Sequence, residues 1–198
     1  MNQSKNTKEH ILDVSLKLFS EKTYYGASIR DIAKAIDKRE SSIYNHFKSK
    51  EEIFEQLILK FSSRNFGPLI LTDQLINIIS KPEKFFILLS ENLIHFWNSE
   101  EERMFIKILL AKNSNGESKK YYSIENYLND FKALSEFIFR EMISHKFIKK
   151  MDVVVLSQEF ISPLFLAAIE LILGLKSETI QKSLIKNHVE FFWNSVKK

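Results

Sequence analysis

The side chains best suited to binding chemistry form a short polar run on one side of a predicted helix. Ile43 and Phe47 are spaced to share the opposite, apolar side of that helix. The polar side carries a carboxylate, a hydroxyl, a phenol and an amide, from Glu40, Ser41, Tyr44 and Asn45. A face with so many hydrogen-bond donors and acceptors is typical of a helix that meets either solvent or DNA.

A preceding helix must position this face, and it begins after Ser28. Apolar residues recur there at i, i+3, i+4 and i+7, giving the helix one apolar face made by Ile29, Ile32, Ala33 and Ile36. Ser28 and Asp31 have the spacing of a capping box, in which a hydroxyl and a carboxylate satisfy free amides at a helix start. The stretch from Ser28 to Lys50 therefore predicts two short helices joined by a tight turn.

Another helix is predicted upstream, over Thr7 to Glu21, with one narrow apolar stripe. Three short helices with a tight turn between the last two fit a helix-turn-helix domain, which we assign to residues 1–48. Ser49 and Glu52 then form a second capping box and start a connecting helix over residues 49–65. Residues 49–198 are predicted to form a second, helical domain.

The charge of the chain is distributed unevenly. Residues 1–50 hold 10 Lys or Arg against 6 Asp or Glu, whereas the remaining residues hold 19 of each. The net charge of +4 therefore lies entirely in the segment with the polar helix face. A module that binds a polyanion would have this distribution, although a solvated lysine surface gives the same counts.

Composition excludes several classes of site. The chain has no cysteine, which removes disulfides, thiolate nucleophiles and cysteine zinc sites. Glu91 and His95 lie four residues apart, but no clear third ligand accompanies them, so we predict no metal site and no cofactor. No nucleophile is suitably spaced from an orienting base, and we expect no enzymatic activity. With only 4 Gly and 3 Pro, an all-α fold is favoured.

The location of the protein is inferred from two further observations. The first residues are polar and resemble no signal peptide. The most apolar segment, Val153 to Leu173, contains Gln158, Glu159 and Glu170, so we expect it to be buried in protein and not in a membrane. A cytoplasmic protein is predicted.

The second domain is rich in large aromatic residues, which could either line a cavity or form an ordinary core. If a cavity exists, this composition favours a small hydrophobic or aromatic ligand. The candidate ligand-site residues are Phe86, Leu89, Leu93, Phe96, Trp97, Phe105, Tyr127, Phe131 and Phe160.

The last two predicted helices have apolar faces too broad for one small domain to cover. Such a pair could be buried against the same pair in a second subunit, which predicts a homodimer. The candidate interface residues are Phe165, Ala168, Ile169, Ile172, Leu184, Ile185, His188, Phe191 and Phe192.

The sequence of residues 11–54, ILDVSLKLFSEKTYYGASIRDIAKAIDKRESSIYNHFKSKEEIF, resembles the TetR-type bacterial transcriptional regulators. The run YxHFxSKEE is the most specific part of this resemblance. It implies a homodimer of all-helical subunits with an N-terminal DNA-binding domain. It also implies a C-terminal helical domain for ligand binding and dimerisation.

The resemblance also implies roles for individual residues. The helix from about Arg39 to His46 would enter the major groove of double-stranded DNA, with Arg39, Glu40 and Ser41 reading bases. Arg can pair with guanine and Glu can accept from a cytosine amine. Phosphate contacts are expected from Ser28, Ser42, Tyr44, His46 and Lys50, and the complete predicted surface also includes Asn45 and Lys48. Tyr44 and His46 could instead be surface residues that cover a small core.

Three residues depart from the pattern of the family. Thr23 and Asp37 stand where glycine is usual, and Lys38 stands where a small apolar residue is usual. A β-branched residue resists the left-handed conformation of a helix C-cap, whereas Asp tolerates it better. The angle of the reading helix depends on how this turn is made.

The sequence thus predicts a ligand-responsive transcriptional regulator, acting as a repressor on a palindromic operator. The main alternative is a small-molecule carrier or an enzyme with an incidental helical N-terminus.

Overall fold

The structure is a computed structural model of the chain and describes residues 2–113 and 122–198. All regular secondary structure in these residues is helical, which confirms the predicted all-α fold. The helices are α1 Asn2–Gly26, α2 Ile29–Ala35, α3 Glu40–Tyr44, α4 Lys50–Ser62, α5 Gly67–Ile70, α6 Asp73–Ile76, α7 Pro82–Trp97, α8 Glu100–Asn113, α9 Ile124–Ser144, α10 Val153–Ile172 and α11 Glu178–Val196.

The chain divides into two compact units, whose boundaries differ from the predicted functional domains. Unit 1 comprises the described residues of 1–64 and 100–127, and unit 2 comprises those of 65–99 and 128–198. Helix α8 belongs to unit 1 because it packs against α1. The functional division at residues 48 and 49 stays a prediction.

Unit 1 is built around α1, which packs against α2, α4 and α8. Its apolar stripe is buried, with Ile11 and Phe19 almost fully removed from solvent. Thr23 interrupts α1 with a φ of 64° and a ψ of 167°. The β-branched residue therefore adopts a positive φ despite its steric cost, and the helix runs on only to Gly26.

The turn between α2 and α3 is a complete Schellman motif. Asp37 has a φ of 53° at the position that glycine usually occupies. The Lys38 amide donates to the carbonyl of Ala33 at 2.9 Å, and the Asp37 amide donates to that of Lys34 at 3.2 Å. Lys38 is exposed, so its side chain leaves the turn for solvent. The regular turn geometry is thus kept without glycine.

Unit 2 is centred on α7, which packs against α5, α6, α10 and α11. Within the described residues, α10 alone is long and apolar enough to span a membrane by length and composition. The core helix of a globular protein meets the same criterion. Much of α10 is buried inside unit 2, including Phe160, Ile161 and Leu164, in agreement with the expected burial of this segment in protein.

Candidate nucleic-acid interface

The cap of α2 fixes the start of the helix that supports the polar face. The Ser28 hydroxyl oxygen accepts from the Asp31 amide at 3.1 Å, and the Ser28 amide donates to the Asp31 carboxylate at 2.9 Å. Lys22 adds an ion pair to the same carboxylate at 3.0 Å. The predicted capping box is therefore confirmed, and Ser28 remains exposed beside it.

Acidification is expected to weaken this cap. The hydrogen bonds from Ser28, followed by the contact with Lys22, hold the pKa of the Asp31 carboxyl well below its usual 3.8. Because the folded-state pKa is depressed, the stabilisation is present above the unfolded-state pKa of about 3.9 and is lost as pH falls below that value. The urea midpoint of wild type should exceed that of Asp31→Asn at pH 6, and the difference should shrink between about pH 4 and pH 2. A difference that stays constant over this range would contradict the assignment.

Helix α3 carries the polar face predicted from the sequence, although it is shorter than expected. Ile43 and Phe47 lie underneath and are 0% and 1% exposed. The solvent side brings together the exposed side chains of Arg39, Glu40, Ser41, Tyr44 and Asn45. Ser42 and His46 are half-buried at its margin. The structure thus places the predicted contact residues of this helix on one side of a small buried core.

The start of α4 also holds the end of the polar segment. The Ser49 hydroxyl accepts from the Glu52 amide at 3.1 Å. The Glu52 carboxylate accepts from the Lys48 amide at 2.6 Å, one residue earlier than in an ideal capping box. This hydrogen bond fixes the backbone of Lys48. The exposed Lys48 side chain therefore starts from a fixed position at the edge of the polar face.

Lys50 is placed differently from the phosphate contact that was predicted. Its ammonium donates to the carbonyls of Tyr24 and Ala27, both at 2.8 Å. It also lies 4.4 Å from the centroid of the Tyr24 ring. Two of its three donors are therefore engaged inside unit 1, and we assign Lys50 chiefly to anchoring the start of α4 on the last turn of α1 and on Ala27, which follows it.

The predicted ligand-site residues are all buried, but they do not all lie in one unit. Phe105 and Tyr127 belong to unit 1, whereas the others belong to unit 2. Phe105 stacks on Phe61 with 4.4 Å between centroids, and the Tyr127 hydroxyl donates to Glu102 at 2.7 Å. These contacts give Phe105 and Tyr127 a role in the core of unit 1, and we remove them from the candidate ligand site.

Unit 2 brings the remaining candidates into two aromatic groups. Phe86 and Phe160 lie 5.5 Å apart and share contacts with Phe139 and Phe192. Trp97 lies 5.1 Å from Phe131, which is 5.8 Å from Phe96. Leu89 and Leu93 are buried on the same helix, α7.

The predicted dimer surface requires a correction. Four of its members are buried within the protomer and cannot meet a second subunit: Phe165, Ala168, Ile172 and Phe192. Phe191 is 72% exposed and Leu184 is 41% exposed, while Ile169, Ile185 and His188 are half-buried. The broad apolar face of α11 is thus divided between the core of unit 2 and the surface.

Helices α10 and α11 run antiparallel, since Gln181 donates to the Ala167 carbonyl at 2.7 Å and His188 contacts the Phe160 carbonyl at 3.2 Å. Burial lowers the pKa of His188 below its ordinary value, which favours the neutral imidazole. Further exposed apolar residues on α10, absent from the predicted set, are Val154, Val155 and Leu166.

Sequence reasoning missed a buried ion pair in unit 1. Glu102 is 1% exposed and is paired with Arg64, which also contacts Glu101 at 3.4 Å. The spacing of Glu102, Phe105, Ile106 and Leu109 was an available signal, because it puts the carboxylate on the apolar stripe of α8. A charge at such a position predicts a buried partner.

Comparison with known proteins identifies the domain that carries this surface. Residues 11–57 match the family model of bacterial regulatory proteins, tetR family. The chain is 35% identical over 114 residues to the HTH-type transcriptional regulator AcrR of Shigella flexneri, covering 56% of this chain and 51% of AcrR. It is 45% identical over 51 residues to the biofilm operon icaADBC HTH-type negative transcriptional regulator IcaR of Staphylococcus aureus, covering 26% and 27% of the two chains.

The chain therefore spans about half or less of the length of these curated relatives. A solved structure of a putative TetR-family transcriptional regulator from Mesorhizobium loti covers 100% of both chains with a TM-score of 0.72 and 18% identity, which supports the fold alone. By this match, residues 11–57 correspond to the N-terminal domain of the tetR family of bacterial regulatory proteins, and the chain is similar to transcriptional regulators over that domain.

Proposed function

We propose that this protein is a cytoplasmic, ligand-responsive transcriptional repressor that binds a palindromic DNA operator as a homodimer. The observation that carries the proposal is the exposed polar face of α3, held over buried Ile43 and Phe47 between two capped helices. The relatives described above are transcriptional regulators, and IcaR is a negative regulator. Release by a small hydrophobic or aromatic ligand is part of the proposal.

In the proposed complex α3 enters the major groove. Arg39, Glu40 and Ser41 are at its exposed start and would reach base edges, where Arg can make a bidentate pair with guanine. Hydroxyl, amide, imidazole and ammonium groups before the turn, within α3 and just after it would bind phosphates and fix the orientation of the helix. We assign those contacts to Ser28, Ser42, Tyr44, Asn45, His46 and Lys48.

Two copies of α3 must face successive major grooves. Half-sites on one face of B-DNA have centres about 34 Å apart, so a dimer would read an operator with matching two-fold symmetry. Large apolar side chains are exposed on both α10 and α11, and they support such a dimer because a second subunit would remove them from water. We centre the interface on Phe191, Leu184 and Leu166.

Ligand control requires two forms that differ in the spacing of their reading helices. A ligand that binds the other form more tightly lowers operator affinity by that differential affinity and by no more. The buried aromatic groups of unit 2 favour an apolar or aromatic molecule for this role.

A mobility-shift titration with the duplex upstream of its own gene tests DNA binding, and Lys48 provides a quantitative prediction. Lys48→Ala is expected to weaken binding to every sequence and to reduce the slope of log affinity against log salt by about one unit, because one phosphate contact is lost. Lys150→Ala, an exposed lysine of unit 2, is the matched control and should leave the slope unchanged.

Equal slopes for wild type and Lys48→Ala would exclude this phosphate contact. A protein that gives no salt-sensitive, specific shift would instead support the alternative of a carrier or an enzyme.

A further inference from the structure

Trp97 presents an unusual buried donor in unit 2. Its side chain is 0% exposed, and its indole Nε1–H has no acceptor among the described residues. A buried donor left without a partner costs about 1–3 kcal/mol, and the large majority of such groups in native proteins are satisfied. The indole Nε1–H of Trp97 could therefore donate to an acceptor on a bound molecule.

The surroundings of this donor are aromatic. The rings of Phe131 and Phe165 each lie with their centroids 5.1 Å from that of Trp97, both edge to face. Phe66 stacks on Phe131 at 4.4 Å and lies 6.1 Å from Phe96. An apolar molecule would be well accommodated by such rings, and one polar group among them would fix its orientation.

A second unsatisfied group lies on a neighbouring helix. The hydroxyl oxygen of Ser162 is buried without a hydrogen-bond partner among the described residues, and it precedes Phe165 by one turn of α10. Helix α10 packs against α7, which carries Trp97. Trp97 and Ser162 therefore put two unsatisfied polar groups on packed helices of unit 2, whereas buried polar groups in native proteins are in the large majority satisfied.

We propose that Trp97 anchors the effector, and that the effector is an apolar or aromatic molecule bearing a neutral hydrogen-bond acceptor such as a ketone, ester or ether oxygen. The indole has one donor and no acceptor, so it selects for an oxygen of this kind over a hydrocarbon of the same shape. The inference rests on the proposed ligand control, since it names the chemical class of that ligand. In this proposal Trp97 Nε1 alone distinguishes ligands that carry an acceptor oxygen from ligands of the same shape that lack one.

The test uses two probes that differ only in the acceptor, acetophenone and ethylbenzene. The chain has two tryptophans, so Trp193→Phe leaves Trp97 as the only indole among its 198 residues. In a 15N-labelled sample of that variant, acetophenone is expected to move the indole proton signal downfield in a saturable manner. It should bind about 3- to 10-fold more tightly than ethylbenzene, as one net hydrogen bond allows.

Trp97→Phe supplies the second measurement. It keeps the aromatic ring and removes the donor, so ligand-observed NMR should give nearly equal dissociation constants for the two probes. Circular dichroism checks that this variant is folded, and Ser162→Ala, which lacks the hydroxyl, tests whether the second group contributes to the same preference.

Equal affinity of the two probes for the variant that retains Trp97 would overturn the proposal, as would an indole signal that neither probe moves. An indole proton already held by an ordered water would give this second result. Operator binding by the Trp193→Phe variant is measured in parallel. If the variant still binds the operator but neither probe shows the expected binding, the assignment of Trp97 is wrong and the proposed DNA-binding function stands. If specific operator binding is absent, the proposed function itself is wrong.

Discussion

Glu102→Ala is expected to lower the free energy of unfolding by about 3–5 kcal/mol, the cost of removing one partner from a buried ion pair. The Glu102 carboxylate is 1% exposed, is paired with Arg64 and accepts from the Tyr127 hydroxyl at 2.7 Å. Glu102, on α8, thereby links Arg64, which follows α4, to Tyr127 on α9, all within unit 1. Its loss removes a charge partner and a hydrogen-bond acceptor from the core at the same time.

The guanidinium on the other side of this pair is itself constrained. It lies 4.5 Å from the centroid of Phe61, and burial lowers the pKa of Arg64 below its ordinary value while the charge of Glu101 opposes that shift. After removal of Glu102 the cation still contacts Glu101, whose side chain is 59% exposed. This arrangement makes Glu101 the natural control.

Glu101→Ala changes an adjacent carboxylate that contacts the same arginine, and it should cost less than about 1 kcal/mol because exposed ion pairs contribute little. Urea unfolding followed by circular dichroism measures both variants, at one protein concentration because the stability of a dimer depends on it. Arg64→Met combined with Glu102→Leu should recover much of the loss, since apolar residues can replace a buried pair. Similar losses for Glu101→Ala and Glu102→Ala would show that the buried pair is not the stabilising element.

Phe191→Glu is expected to convert the proposed dimer to monomers and to lower operator affinity by about 100-fold or more. Phe191 is 72% exposed in the protomer, so a charge there leaves its fold intact but would be buried at the proposed interface. Linking two reading helices in one particle raises affinity by about 100- to 10,000-fold over one helix alone, and dissociation removes that gain.

Sedimentation velocity and a mobility-shift titration measure the two effects. Phe137→Glu is the matched control, because Phe137 is 56% exposed on α9, outside the proposed interface. A Phe191→Glu protein that remains dimeric would move the interface away from α11. A monomer with undiminished operator affinity would contradict the need for two reading helices.

The region around α3 was predictable from the sequence because its determinants are local. The Ser28 and Asp31 capping box, the apolar spacing around Ile43 and the tolerance of Asp37 for a positive φ all act over a few residues. Each of these local preferences agrees with the final structure, and such agreement is what makes a segment readable from its sequence.

Features that depend on distant residues were less accessible. The inward position of Lys50 depends on carbonyls of Tyr24 and Ala27, more than twenty residues away in the chain. The burial of Phe192 and the exposure of Phe191 were not distinguished, because a broad apolar face can be covered by its own unit or by a second subunit. The spacing of apolar residues gives the width of an apolar helix face, but it does not show whether the same unit or a second subunit buries that face.

The central claim, that the exposed face of α3 reads a specific operator, is tested most directly by selection from random double-stranded DNA. The wild-type protein is expected to enrich one motif with two-fold symmetry, its half-sites about one helical turn apart. Arg39→Ala and Glu40→Ala should each change the preferred base at one symmetric pair of positions, with discrimination falling by about 1–3 kcal/mol per contact. No enriched motif, or a motif unchanged by both substitutions, would contradict the account.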